Sequence, residues 1–148
     1  MLNRLVYYSV RACDDGEVIR LAARAAARNE SLGVTGLLIA DRTVFMQILE
    51  GPRALVSQVF ASIARDGRHA DVIVADVSEI EALSYPKWGL ALLNDREKIH
   101  AIWRRVGGDR LWEPRLLNAV QLRALFRIAM ADAQRVARDA PALQVVMA

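Results

Sequence analysis

Gln47 is the residue most at odds with its neighbours. It stands in Thr43-Val44-Phe45-Met46-Gln47-Ile48-Leu49-Glu50-Gly51, a stretch that otherwise reads as a core strand. A buried primary amide without a partner costs roughly 1–3 kcal/mol, so such a group is kept where something hydrogen-bonds to it. Tyr7 projects from another strand-like segment, and Asn29 comes where a helical run should end. One phenol and two amides on three core-forming elements describe a polar site for a flat ligand. Each amide offers two donors and an acceptor, which suits a planar heterocycle with carbonyl and ring-nitrogen edges. Leu21, Val34, Leu37 and Ile63 are apolar positions able to hold such a ring. The cluster lacks charged groups for acid–base work, and the chain shows no Ser-His-Asp set, His-rich metal set or Gly-rich phosphate loop.

The elements that must position these residues follow from periodicity and punctuation. Residues 5–10 (LVYYSV) are aromatic and β-branched, hence a strand. Asp14-Asp15-Gly16 breaks it, and either aspartate can cap a helix over about residues 17–29, with Val18, Leu21, Ala22 and Ala25 on one face. Strands over residues 34–40 and 43–50, joined by Asp41-Arg42, form a hairpin. Gly51-Pro52 starts a helix over residues 53–65, and residues 71–77 form a further strand. Residues 85–89 make a turn, and residues 90–93 a short last strand. This order, β-α-β-β-α-β, predicts an α+β fold of ferredoxin-like type with two helices on one face of the sheet. Helices over residues 95–106 and 114–139, with a break at Gly107-Gly108-Asp109, are expected on the other face. The longer one carries too many apolar residues for one stripe, which predicts a second packing partner, another helix or a second copy of the chain. Residues 1–94 therefore form the binding domain, and residues 95–148 a helical extension.

Bulk properties narrow the class. The 148 residues suffice for one domain with a proper core. No apolar run approaches the roughly 20 residues needed to cross a bilayer, and the N-terminus lacks a signal-peptide pattern. The single cysteine, Cys13, makes neither an internal disulfide nor a Cys-rich metal site. A cytoplasmic protein is expected. The net charge of +3 is mild, and Arg104-Arg105 is the one adjacent basic pair, so nucleic-acid binding is weakly indicated.

Tyr7-Tyr8-Ser9, Arg28-Asn29, Val34-Thr35-Gly36-Leu37-Leu38, Phe45 to Pro52, Arg65-Asp66-Gly67-Arg68-His69 and the turn around Trp88 stand in one series. Over about residues 3–93 the chain resembles the BLUF family, blue-light sensors using FAD. The resemblance implies the following roles. Tyr7 is the electron- and proton-donating tyrosine, and Gln47 links it to the flavin. Asn29 holds the flavin carbonyl edge, and Leu21 and Ile63 wall the ring. Arg28, Asp66, Arg68 and His69 fall toward the ribityl and phosphate region. Trp88 is the mobile tryptophan near the flavin. Illumination would leave Gln47 rotated or tautomerised in a rearranged hydrogen-bond network that decays in the dark. Leu90 stands where the family often has methionine, Arg28 where His or Asn is common, and Ala25 where serine is common.

The resemblance implies a photoreceptor rather than an enzyme. Its signal would pass through the C-terminal helices to a downstream protein, such as a cyclic-dinucleotide enzyme or a transcription regulator, or within a homo-oligomer. The chain ends soon after those helices, which leaves no room for an attached output enzyme. Two other readings remain. One is a small acylphosphatase-type hydrolase, with Arg11 opening an anion loop. The other is a basic nucleic-acid or partner-binding module using Arg104 and Arg105.

Overall fold

The central strands are buried along nearly their whole length, because the one mixed sheet they form is covered on both faces. The computed structural model describes residues 1–84, 88–107, 112–139 and 146–147. The strands are β1 (Leu2–Arg11), β2 (Thr35–Ala40), β3 (Val44–Pro52), β4 (His69–Ile80), β5 (Ala91–Leu93) and β6 (Val146–Met147). Their order in the sheet is β4-β1-β3-β2-β5-β6. Each neighbouring pair among the first four in that order is antiparallel, and β5 and β6 add in parallel beyond β2. Helices α1 (Asp15–Leu32) and α2 (Arg53–Ala64) cover one face; α3 (Arg96–Arg105) and α4 (Ala119–Asp139) cover the other. This is the expected α+β arrangement, with the C-terminal helices on the face that α1 and α2 leave open.

Strand alternation decides which residues meet which helices. Tyr7 pairs with Gln47, and Gln47 with Leu38, so the three side chains share the α1/α2 face. Val6, Met46, Ile48, Leu37 and Ile39 point the other way, into a core with Trp103 of α3 and Leu122, Phe126 and Met130 of α4. The β1–β4 ladder shifts register on both sides of Tyr7, between Val6 and Tyr7 and between Tyr8 and Val10. Such irregularities re-aim side chains locally.

Several boundaries differ from the sequence reading for local reasons. Asp14 caps α1, its carboxylate accepting from the Glu17 N–H at 2.8 Å. The helix runs three residues past Asn29 to Leu32 and ends on Gly33, whose φ of 67° is left-handed. Asn29 is thus in the last turn rather than at its end. The β2–β3 connection is Asp41-Arg42-Thr43, three residues, closed by the Asp41 N–H donating to the Val44 carbonyl at 3.0 Å. β4 extends at both ends beyond the expected residues.

The expected helix from Pro114 is divided. Pro114–Leu116 is a 3₁₀ turn, Leu117 is extended, and α4 starts afresh. Asn118 and Gln121 cap each other: the Gln121 N–H reaches Asn118 Oδ1 at 2.9 Å, and the Asn118 N–H reaches Gln121 Oε1 at 3.0 Å. That reciprocal capping satisfies two otherwise unpaired donors and outweighs continuity of the helix. Leu116 and Val120 are left 66% exposed. The expected turn residues 85–87 and break residues 108–109 lie outside the described residues. No helix among the described residues is long and apolar enough to cross a membrane.

Candidate functional site

Above Gln47, between α1 and α2, lies a cleft of about 340 Å³. Of the expected site residues, Leu21, Arg28, Gln47, Ile63, Asp66, Arg68 and His69 line it. Arg24, Ala25 and Ser62, not singled out from the sequence as site residues, line it as well. Arg28 Nη1 donates to Ser62 Oγ at 2.8 Å, which ties α1 to α2 beside the cleft. Leu21 and Ile63 supply opposed aliphatic surface, one from each helix.

Gln47 forms the floor and is 3% exposed. The Tyr7 hydroxyl donates to Gln47 Oε1 at 2.5 Å. That bond occupies the amide's carbonyl and leaves its nitrogen as the group's remaining donor. Tyr7 is completely buried and sits behind Gln47 rather than on the cleft wall. Burial, and then the Asp66 carboxylate, push its phenol pKa up, while Arg28 opposes them. The hydroxyl therefore keeps its proton across the working pH range.

Asn29 is also fully buried behind the wall. Its Nδ2 donates to the Gly89 carbonyl at 3.0 Å, and its Oδ1 has no partner among the described residues. Gly89 presses on α1 so closely that a Cβ would lie 2.1 Å from the Ala26 carbonyl oxygen, so no side chain fits there. Asn29 thereby joins the site to the segment entering β5.

Asp66 and Arg68 form a bidentate pair, with contacts of 2.6–3.2 Å between guanidinium and carboxylate. The guanidinium holds the Asp66 carboxyl below the usual range. His69 is buried, its Nδ1 lies 2.8 Å from Ser9 Oγ, and its ring packs 4.6 Å from that of Phe45. Desolvation lowers its pKa to about 4, so the imidazole is neutral near pH 7. Arg24, Arg28 and Arg68 against Asp66 give the cleft a surplus of positive charge.

Trp88 is elsewhere. It is half-buried against the core on the α3/α4 face and does not line the cleft. Leu90 takes the inner position, fully buried with Leu21, Phe45 and Leu92 beneath α1. Arg11 is occupied structurally, donating to the Cys13 and Asp41 carbonyls at 2.9 and 2.8 Å and pairing with Asp15. It does not open an anion loop.

The sequence profile of BLUF, "Sensors of blue-light using FAD", matches residues 2–91. The chain belongs to the BLUF family. A photoactivated adenylate cyclase subunit beta from Euglena longa is 35% identical over 78 residues, covering 52% of this chain and 9% of that protein. The blue light- and temperature-regulated antirepressor BluF of Escherichia coli (strain K12) is 30% identical over 98 residues, covering 65% of this chain and 24% of that protein. The chain thus spans less than a quarter of either relative. Among solved structures, the dark state of the BLUF protein BlrB superposes with a TM-score of 0.71 at 30% identity, covering 88% of this chain and 96% of that one. The photo-activated state of BlsA superposes at 0.78 with 25% identity, covering 86% and 94%.

BLUF proteins use FAD, and the donor set in this site fits a flavin. The Asn29 Oδ1 is a buried acceptor without a partner among the described residues, the Gln47 nitrogen is an available donor, and aliphatic walls face each other across a cationic cleft. Among the described residues no cluster of His, Cys, Asp and Glu is arranged to hold a metal.

Proposed function

We propose that this BLUF chain binds FAD between α1 and α2 and converts blue light into a rearrangement of the Tyr7–Gln47 bond. The observation that carries this reading is that bond itself, at 2.5 Å, fully buried beside a cleft of about 340 Å³. Bound FAD supplies light absorption and oxidising power. Tyr7 supplies the electron, and because burial holds its phenol protonated, the electron must leave with a proton. Gln47 Oε1 is the acceptor already in place for that proton. When the electron returns to Tyr7, Gln47 would give a proton back to the phenolate oxygen and be left rotated or tautomeric, which exchanges one satisfied hydrogen-bond pattern for another. Asn29 orients the flavin through its free carbonyl and carries the change to β5 through Gly89. Leu21 and Ile63 clamp the ring. Arg28 and the Asp66–Arg68 pair serve the phosphate end, and neutral His69 closes the wall.

Residues 1–94 act as the sensing unit and residues 95–148 as the output. The output is noncatalytic and addresses a downstream protein in the cytoplasm. The support is β5, which pairs with β2 and packs against α4, so that a shift of β5 reaches the C-terminal helices. Trp88 acts from the α3/α4 side, reporting the position of the β5 segment rather than touching the ring.

The test is an absorption spectrum of the FAD-loaded protein before and after blue light. A small reversible red shift is expected. Tyr7→Phe should keep FAD bound and lose the shift altogether. A normal shift in Tyr7→Phe would remove the tyrosine from the mechanism, and a chain that cannot take up FAD would remove the reading.

A further inference from the structure

On the opposite face of the sheet, β1, β3 and α4 border an open cavity of about 420 Å³, larger than the flavin-side cleft. Arg4, Arg123, Arg127 and Gln134 give it polar walls, and Ile48 and Met130 an apolar floor; among the described residues no carboxylate lines it. Two of the arginines are held from behind. Arg4 Nε donates to Glu50 at 2.8 Å and its Nη2 to Ser84 Oγ at 3.1 Å, and Glu50 is completely buried. Arg123 Nη1 donates to Asp76 at 2.7 Å. These bonds leave Arg4 Nη1 and Arg123 Nε and Nη2 without protein partners among the described residues. Arg127 is exposed and makes no ion pair among them. Three guanidiniums against Glu50 and Asp76 leave one uncompensated positive charge around a hole.

Like charges held around a concavity repel unless an anion joins them. Guanidinium forks match carboxylate and phosphate oxygens, with fixed geometry and little entropy lost per bond. Donors arriving from two directions, Nη1 of Arg4 on β1 and the forks of Arg123 and Arg127 on α4, suit a tetrahedral phosphoryl group, which has oxygens facing several directions; a planar carboxylate answers one fork. The volume falls within the range of small-molecule pockets and exceeds what inorganic phosphate fills. The floor of Ile48 and Met130 takes an apolar or flat body. We propose that this cavity binds a phosphomonoester of nucleotide size, with Arg4, Arg123 and Arg127 on the phosphoryl group and the base on the floor. The site is separate from the flavin cleft, and the proposal stands apart from the light-sensing reading.

The experiment titrates AMP into the full chain in the dark, with FAD at saturation so that the cleft is closed to adenosine. Calorimetry follows binding, and inorganic phosphate is the second probe. AMP is expected to bind one to one and more tightly than phosphate. Arg127→Ala should weaken AMP about tenfold or more, and that exposed, unpaired side chain can be removed without harming the fold. Arg123→Gln should weaken it as well. Arg65→Ala, exposed at the end of α2 on the other face, should leave it unchanged. Absence of AMP binding overturns the proposal. So does equal weakening by Arg65→Ala, or a phosphate affinity equal to that of AMP. A chain that fails to take up FAD is titrated as it stands, so failure of the light-sensing reading leaves this result interpretable.

Discussion

The two faces of β3 differ in what they bury. Toward α1 and α2, Gln47 shares its face with the buried polar groups of Tyr7, Ser9 and His69, with Asn29 on α1 close by, and the helices leave a cleft above it. Toward α3 and α4, Met46 and Ile48 join Trp103, Phe126 and Met130 in an apolar core, and the arginine-lined cavity over Ile48 and Met130 bounds that core without a buried switching pair inside it. One residue of strand separates the two environments. A face that has to switch needs alternative hydrogen-bond partners and space for a ligand, and it gives up packing to have them. A face that has to transmit needs the reverse, because close-packed interiors pass on displacement instead of absorbing it.

The largest expected effect tests the transmitting face. Phe126→Ala removes a fully buried ring from the middle of α4 and should cost about 3–5 kcal/mol in urea unfolding. Flavin absorption should be unchanged, since the ring does not approach the cleft. A cost near zero would mean that α4 is loosely attached, and the contrast between the faces would fail.

The next effect lies on the switching face and depends on pH. His69 is held neutral by burial, with its pKa near 4, against about 6.5 when unfolded. Between those values the unfolded chain binds the proton and the folded chain does not, so stability falls as pH drops from about 6.5 to about 4. The full loss from this group is about 3 kcal/mol at most. Urea midpoints at about pH 7 and about pH 5 should differ in the wild type and converge in His69→Asn. An unchanged difference in the variant would assign the acid sensitivity to another group.

How far the sequence revealed this contrast depends on the range of the interaction. Strand alternation and helical spacing are local, so the β-α-β-β-α-β order and the inward amide of Gln47 were legible residue by residue. The role of Glu50 has no local signal, because its partners Arg4 and Ser84 are 46 and 34 residues away. His100 has no local signal either: it lies 3.4 Å from the buried Asp41 carboxylate, which also pairs with Arg96 and so ties the β2–β3 connection to α3. The split before α4 had a local signal, Asn118 three residues ahead of Gln121, masked by the apolar run around it. The placement of Trp88 and Leu90 on opposite faces depends on how Gly89 docks against α1, a tertiary contact with no signature in spacing.

The smallest expected change in stability belongs to the residue of largest functional consequence. Gln47→Leu removes a buried amide and adds apolar volume, which favours the folded state, but it deprives the Tyr7 hydroxyl of its acceptor at 2.5 Å. A buried hydroxyl without a partner costs about 1–3 kcal/mol, and burying the leucine offsets most of that. The net change in unfolding free energy should stay within about 1 kcal/mol, while the light-induced shift disappears. If Gln47→Leu destabilises the chain as much as Phe126→Ala does, Gln47 is a structural strut and the two faces of β3 are alike. If it is silent in unfolding and blind to light, the amide is held in the core for the alternative bond it can make.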